Sequence, residues 1–137
     1  MNLQVYISFN GNCRKALEFY SRVFEAKINK TVTYKELPSH PKVALEKDVE
    51  ELIAYSSIIL KGNYLNMVDV FPGMPLTRGN NVSLTIVSNK SNELEVLFNK
   101  LKEDGNVNME LQKTYWSRCY GSLTDKFGIE WHFNCEE

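Results

Sequence analysis

Three polar side chains that alternate near the C-terminus have the types and spacing to do chemistry. In TDKFGIEWHFN (residues 124–134), Lys126–Gly128 predicts a tight turn, and the residues after it predict a strand. Because strand side chains alternate between the two faces of a sheet, Glu130, His132 and Asn134 share one face. The opposite, apolar face consists of Ile129, Trp131 and Phe133. An imidazole in this position could bind a metal, act as a general base, recognise a ligand, or only form a hydrogen bond with a neighbour.

Aromatic side chains are candidates for lining a ligand pocket with this histidine. The candidates are Tyr6, Tyr55, Trp116 and Tyr120. Each combines ring surface with a polar atom, which suits a small-molecule site. A plain hydrogen bond between His132 and a neighbour such as Tyr55 or Glu130 is an alternative. Trp116 follows no amphipathic face, so three roles stay open for it: lining a cleft, contacting a second copy, or packing beneath its own loop.

The three cysteines are Cys13, Cys119 and Cys135, and no two of them form a CxxC pair. An odd number without paired spacing argues against a disulfide framework and against a structural zinc site. Cys119 is the best candidate for a nucleophile because aromatic and basic residues surround it in the sequence. A packed, unreactive thiol is the alternative.

Bulk properties exclude several classes of protein. The chain has 137 residues, 43% of them hydrophobic and 24% charged, which is typical of a globular protein of one domain or two small halves. No apolar run approaches the roughly 20 residues that a membrane span requires. The N-terminus enters strand-like alternation without a signal sequence, which predicts a cytoplasmic protein. A net charge of −1 without a basic run argues against nucleic-acid binding.

The N-terminal half predicts a strand, a helix and three further strands. In LQVYISF (residues 3–9), alternation puts Leu3, Val5, Ile7 and Phe9 on one packed face. Asn12 is a candidate helix cap, and residues 13–26 carry apolar side chains at helical spacing. Further strands are predicted at residues 28–37, 52–60 and 64–70.

The C-terminal half repeats this order. NVSLTIVS (residues 81–88) alternates as a strand, and NELEVLFNKLKEDG (residues 92–105) has the apolar spacing of a helix that Gly105 ends. Strands are predicted at residues 107–111, 118–124 and 129–134. The segment FPGMPLTRGN (residues 71–80) joins the halves as a linker containing proline and glycine.

The repeated order predicts an α+β fold of paired β-α-β-β-β modules. We expect a single domain, residues 1–137, with one module at about residues 1–70 and the other at about residues 81–137. Two such modules can curve their sheets into one mixed sheet that encloses a concave cleft. An ordinary α+β sandwich with a solvated sheet face is the alternative.

Three segments make the sequence resemble a known family. They are YISFNGNCRKALEFYSRVFEA, YKELPS and TYWSRCYGSLTDKFGIEWHFN. Together with the intervening helix they resemble the PhnB-like branch of the vicinal oxygen chelate superfamily, often given a demethylubiquinone methyltransferase-like domain name. That superfamily includes glyoxalase I, bleomycin-resistance proteins and extradiol dioxygenases. The resemblance implies a glyoxalase-like fold and a homodimer, and it leaves the activity open because members range from lyases to non-catalytic drug-binding proteins.

The resemblance also implies four positions where metal-using members carry their ligands. The corresponding residues here are Gln4, Tyr55, Asn81 and His132. One imidazole, one phenol and two amides are a poor donor set for zinc, nickel or iron. The only other histidine, His40, lies in the polar stretch of residues 38–51, which is either a solvated connection or a lid.

These observations predict a protein that binds a small molecule in a cleft, without a metal cofactor. The predicted ligand-binding residues are Tyr6, Tyr55, Asn81, Trp116, Tyr120 and His132. The alternatives are a metal-dependent lyase or dioxygenase with His132 as one ligand, and a non-catalytic protein that sequesters a drug or toxin. No glycine-rich strand-to-helix turn supports methyl transfer from a nucleotide-like cofactor. Whether the protein is an enzyme stays open.

Overall fold

The computed structural model describes residues 1–38 and 46–136, and the chain divides into two compact units, residues 1–77 and 78–137. Each unit holds one four-stranded mixed sheet and one main helix. The predicted α+β class and the twice-repeated order β-α-β-β-β are therefore confirmed. None of the helices described is both long and apolar enough to cross a bilayer.

The first unit has strand order β1-β4-β3-β2, with β1 parallel to β4 and the other pairs antiparallel. Its elements are β1 (Val5–Phe9), α1 (Cys13–Phe24), β2 (Ile28–Thr33), α2 (Lys47–Glu50), β3 (Ile53–Leu60) and β4 (Asn63–Asp69). Apolar side chains of α1 pack on one face of this sheet. The buried ones are Cys13, Ala16, Leu17, Phe19, Tyr20 and Val23.

The second unit repeats the arrangement with strand order β5-β8-β7-β6, where β5 and β8 are parallel. Its elements are β5 (Leu84–Ser88), α3 (Ser91–Leu101), β6 (Asn106–Gln112), β7 (Tyr120–Thr124) and β8 (Glu130–Cys135). Leu94, Phe98 and Leu101 of α3 are buried, and the Phe98 ring meets the Phe133 ring edge-on at 5.2 Å between centroids. Trp131 and Phe133 are buried, which confirms the predicted core face of β8.

The N-terminus of α1 is capped by a residue distant in sequence. Asn12 occupies the predicted N-cap position, but its side chain makes no capping hydrogen bond. Instead, Asp69 Oδ1 accepts the Gly11 and Cys13 backbone N–H groups at 2.9 and 3.0 Å. Its Oδ2 accepts the Ile53 N–H at 2.9 Å. The Asp69 carboxylate at the end of β4 therefore joins the start of α1 and the start of β3 to this strand.

Asp125 has a matching role in the second unit. Its Oδ1 accepts the Phe127 and Ile129 backbone N–H groups at 2.8 and 3.0 Å, which closes the turn before β8. Its Oδ2 accepts the Trp131 Nε1–H at 2.8 Å. Gly128 has φ +86°, a left-handed conformation that glycine adopts readily. The tight turn predicted at residues 126–128 is confirmed.

The predicted packed face of the first strand is confirmed only at the end of the strand. Phe9 is buried and Ile7 is partly buried, whereas Leu3 and Val5 are 93% and 41% exposed. The strand begins at Val5 and lies at the edge of its sheet, paired only with β4 within its unit. Val82, in the corresponding segment before β5, is 74% exposed. The alternation of apolar and polar residues identified the strands. It did not show which residues of an edge strand are buried within the unit.

The strand predicted at residues 28–37 ends at Thr33, where a 3-10 turn over Tyr34–Glu36 begins. Glu36 Oε1 accepts hydrogen bonds from the Thr33 backbone N–H and hydroxyl, at 3.3 and 2.9 Å. This local bonding replaces a continued ladder. Of the predicted connection or lid at residues 38–51, the helical turn α2 is described, while His40 lies outside the described residues.

Candidate functional site

Three polar side chains in contact lie on the polar face of the second unit's sheet. The Tyr120 hydroxyl is 2.6 Å from His132 Nδ1, and His132 Nε2 is 3.4 Å from Glu130 Oε1. Glu130 and His132 come from β8, and Tyr120 opens the neighbouring strand β7. The His132 and Glu130 side chains are 29% and 12% exposed. The strand alternation that predicted this face also places Tyr120 on it.

The tautomer of His132 decides the direction of its bond to Tyr120. When Nε2 carries the proton and faces the Glu130 carboxylate, Nδ1 is an acceptor and Tyr120 donates its hydroxyl hydrogen to it. The phenol oxygen retains lone pairs that can accept a hydrogen bond from a ligand.

Glu130 is itself held in place by two side chains. The Thr124 hydroxyl donates to Glu130 Oε2 at 2.8 Å, and Asn108 Nδ2 lies 3.3 Å from Oε1. These contacts therefore hold the side chains of Glu130, His132 and Tyr120 in defined positions without a bound ligand or metal. This preorganisation favours recognition of a ligand at the phenol oxygen.

An aromatic group extends from Tyr120, and its far members, Tyr115 and Trp116, border a cavity that Tyr120 itself does not line. The Trp116 ring meets the Tyr120 ring edge-on at 5.4 Å, and Tyr115 meets Trp116 at 4.7 Å. Trp116 is 52% exposed and borders a cavity of about 470 Å³, so packing beneath its loop does not describe it. The cavity is lined by Lys113, Thr114, Tyr115, Trp116, Ser117, Arg118, Asn134, Cys135 and Glu136. Asn134 Oδ1 is buried and has no hydrogen-bond partner within the described part of the chain.

The first unit contains a weaker version of the same arrangement. The Tyr55 hydroxyl donates to Asn66 Oδ1 at 3.3 Å, and Asn66 Nδ2 donates to the Val5 carbonyl at 3.1 Å. Tyr6 lies beside Tyr55 with 6.4 Å between ring centroids, and Lys30 Nζ lies 5.8 Å from the Tyr55 centroid. Tyr55 therefore forms its hydrogen bond with Asn66, while His132 forms its hydrogen bond with Tyr120 and lies 3.4 Å from Glu130.

Strand register makes the two arrangements equivalent. Asn66 pairs with Ser57 on one side and Tyr6 on the other, and His132 pairs with Ser122 and Thr85 in the same manner. Tyr55 and Tyr120 each lie two residues before those serines. Asn66 rather than Tyr55 is thus the counterpart of His132. Aligning the two halves by their β-hairpins would have found Asn66 in the sequence.

Two predicted site residues do not lie on the strands to which they were assigned. Gln4 lies directly before β1, which begins at Val5. Asn81 lies three residues before the start of β5, and both residues are exposed. The predicted first-strand positions are therefore wrong for both residues. The strands begin later than alternation suggested because residues 2–4 and 81–83 have no ladder partner in their own unit.

The described side chains offer an incomplete donor set for a metal. His132 and Glu130 are adjacent, but residues 1–38 and 46–136 contain no cluster of three histidine, cysteine or acidic side chains that could hold an ion. Both imidazole nitrogens of His132 already face protein groups. A transition metal typically takes three or more protein ligands, so the residues described fit such an ion poorly.

Cys119 is a weak candidate for the predicted nucleophile. Burial raises the pKa of its thiol, the neighbouring Cys135 and Glu95 raise it further, and Arg118 lowers it. The thiolate is the reactive form, so a raised pKa leaves little nucleophile at neutral pH.

Comparison with known proteins identifies the family. The family model described as 3-demethylubiquinone-9 3-methyltransferase matches residues 2–134. The chain belongs to this family. Protein YjdN of Escherichia coli (strain K12) is 28% identical over 140 residues, covering 98% of this chain and 95% of YjdN. The resemblance predicted from the sequence motifs is confirmed.

Solved structures extend the relationship to the fold. A structure from Bacillus cereus, described as a putative 3-demethylubiquinone-9 3-methyltransferase, PhnB protein, has a TM-score of 0.80 at 23% identity, covering 99% of this chain and 100% of that chain. The fosfomycin resistance protein FosX of Listeria monocytogenes has a TM-score of 0.68 at 9% identity, covering 100% of this chain and 94% of FosX. The protein is PhnB-like and has the vicinal oxygen chelate fold.

Proposed function

We propose that this PhnB-like protein binds a small organic molecule directly at Tyr120, without a metal, and that His132 and Glu130 orient the phenol. The observation that carries the proposal is the 2.6 Å bond between the Tyr120 hydroxyl and His132 Nδ1, with Glu130 on the other nitrogen. This bonding directs the phenol hydrogen away from a ligand and its lone pairs towards one. A ligand with a hydroxyl or amine donor suits that acceptor.

The surroundings of Tyr120 favour a ligand with a flat ring. Trp116 offers partly exposed ring surface at 5.4 Å from Tyr120, and aromatic rings stack on or pack edge-on against such surfaces. A cavity of about 470 Å³ beside Trp116 has the size of a small-molecule pocket. Tyr6, Tyr55 and Asn81, the other predicted ligand-binding residues, belong to the proposal only as expectations from the sequence.

A metal-dependent lyase or dioxygenase is the second candidate. It is favoured by the proximity of His132 Nε2 and Glu130 Oε1, two potential ligands 3.4 Å apart. Further ligands would have to come from elsewhere. A protein that sequesters a drug or toxin would use the binding site as first proposed, without turnover. The homodimer and the cytoplasmic location predicted from the sequence remain expectations, and the proposal requires neither.

Methyl transfer, which the family description names, has less support in this chain. The turn between β1 and α1 contains the single glycine Gly11. The backbone N–H groups at the start of α1, where a phosphate-bearing cofactor could bind, are already taken by Asp69. The proposal therefore rests on the Tyr120 site rather than on the family description.

A ligand screen with a single-atom variant tests the proposal. Wild-type protein and Tyr120→Phe are heated with individual phenols, catechols and aromatic amines in the presence of EDTA, and the melting temperature is recorded. A hit at 100 times its Kd stabilises the wild type by about 2.7 kcal/mol. We expect Tyr120→Phe to bind the same hit roughly fivefold more weakly, since it lacks one hydrogen bond of about 1 kcal/mol.

Two results would contradict the proposal. Equal affinity for wild type and Tyr120→Phe would place the ligand elsewhere. Hits that appear only when EDTA is replaced by a divalent metal would favour the metal-dependent enzyme.

A further inference from the structure

Two of the three cysteines face each other across neighbouring strands. Tyr120 pairs with Asn134, so the next positions outward, Cys119 and Cys135, are directly opposite. The Cys135 backbone N–H donates to the Cys119 carbonyl at 2.9 Å, while the Cys119 N–H donates to Ser117 Oγ at 3.2 Å. Directly opposite residues in an antiparallel ladder have Cα atoms about 4.5 to 5.5 Å apart, which is within the range found in disulfides.

The two thiols also share a face of the sheet. Cys135 follows the buried residues Trp131 and Phe133 at the two-residue spacing of β8. Residues directly opposite each other in an antiparallel pair point to the same face, so Cys119 points to this face as well. The effect of Cys135 on the pKa of Cys119 is consistent with this proximity. Both cysteines are free thiols in the structure.

The two thiols differ in solvent exposure, and a positively charged side chain lies beside them. Cys119 is partly exposed, whereas Cys135 is buried. Arg118 Nη2 donates to Cys135 Sγ at 3.0 Å, so a positively charged side chain lies beside the pair. Cys13 lies in α1 of the other unit, is fully buried, and has a pKa raised to about 12 by burial and by Asp69.

We propose that Cys119 and Cys135 are a redox pair that forms an intrachain disulfide when a peroxide reaches the end of the β7–β8 hairpin. One sulfur attacks a peroxide oxygen, the O–O bond breaks, and a sulfenic acid and one water form. The second sulfur attacks the sulfenic sulfur, the S–O bond breaks, and the departing hydroxide takes the thiol proton as a second water. Two thiols and one hydrogen peroxide thus give one disulfide and two waters. The raised pKa of Cys119 affects the rate of this reaction, not its product.

The two cysteines lie next to residues of the polar face, and this placement does not depend on the proposed ligand. Cys119 and Cys135 flank the paired residues Tyr120 and Asn134, whose side chains point to the opposite face. A disulfide here would fix the strand end that carries Tyr120. The inference stands on strand register and thiol environment alone, so it does not rest on the proposed function.

Peptide mapping tests the pair because trypsin separates the three cysteines. Cleavage after lysine and arginine puts Cys13, Cys119 and Cys135 in residues 1–14, 119–126 and 127–137. The full chain is treated with hydrogen peroxide, alkylated with iodoacetamide in denaturant, and digested. We expect peptides 119–126 and 127–137 to be linked, with alkylation of both cysteines lost together and restored by dithiothreitol. Cys13 should be fully alkylated before and after oxidation.

Variants provide the matched controls. Cys13→Ala should oxidise as the wild type does, and Cys119→Ser should give no linked peptide. The wild-type map decides the proposal even where a variant fails to fold. The pair is ruled out if peroxide yields sulfinic or sulfonic Cys119 while Cys135 stays alkylatable. Chains cross-linked to each other through Cys119 would rule it out as well.

Discussion

Replacing Asp69 by alanine is expected to lower the free energy of unfolding by about 3–5 kcal/mol, since it removes the acceptor for several buried donors. The carboxylate is 1% exposed and accepts the backbone N–H groups of Gly11, Cys13 and Ile53. Alanine would leave these groups without an acceptor at the points where α1 and β3 join the sheet. Urea denaturation followed by far-UV circular dichroism measures the loss.

Two further variants make this result specific. Asp69→Asn retains one acceptor oxygen, so we expect a smaller loss than with alanine. Asp48→Ala removes an exposed carboxylate from α2 and should change stability by no more than about 0.5 kcal/mol. A loss below about 1 kcal/mol for Asp69→Ala, the net value of one ordinary hydrogen bond, would mean that water replaces the carboxylate.

Replacing His132 by alanine is expected to weaken ligand binding by up to the roughly fivefold loss of Tyr120→Phe, while leaving the fold intact. Without the imidazole, the Tyr120 hydroxyl loses the acceptor that orients its hydrogen. The side chain is 29% exposed on the polar face, so its removal opens no core cavity. We expect the free energy of unfolding to change by less than about 1.5 kcal/mol.

The measurement for His132→Ala pairs calorimetric titration of a hit from the ligand screen with urea denaturation. Asn92→Ala, on the exposed surface of α3, is the control and should change neither quantity. A loss of several kcal/mol in His132→Ala would show that the imidazole is a core residue. Unchanged affinity with unchanged stability would mean that Tyr120 is not oriented by His132.

Local patterns in the sequence determined most of the fold. Alternation in IEWHFN separated the buried Trp131 and Phe133 from the half-exposed His132, because strand geometry alone dictates which residues share a face. Helical spacing likewise identified the buried side of α1. The repeated order of elements then gave the fold class, and it needed no information about distant contacts.

Contacts between residues distant in sequence could not be predicted in the same way. The cap of α1 comes from Asp69, more than 50 positions away, whereas Asn12 is the local choice and fails to bond. The partner of His132 depends on the β7–β8 register, which selects Tyr120 over Tyr55. The exposure of Leu3 depends on what borders a sheet edge. Neither residue propensities nor the periodicity of apolar residues contains information about contacts between residues distant in sequence.

Metal retention tests most directly whether His132 serves a ligand site built from protein side chains alone. Untagged protein is soaked separately with nickel, zinc, manganese and iron salts, desalted, and analysed for its elemental content alongside His132→Ala. Because Tyr120 and Glu130 face both imidazole nitrogens, we expect only trace metal in the wild type and in the variant. Near-stoichiometric metal in the wild type that disappears in His132→Ala would contradict the direct-binding site and establish His132 as a metal ligand.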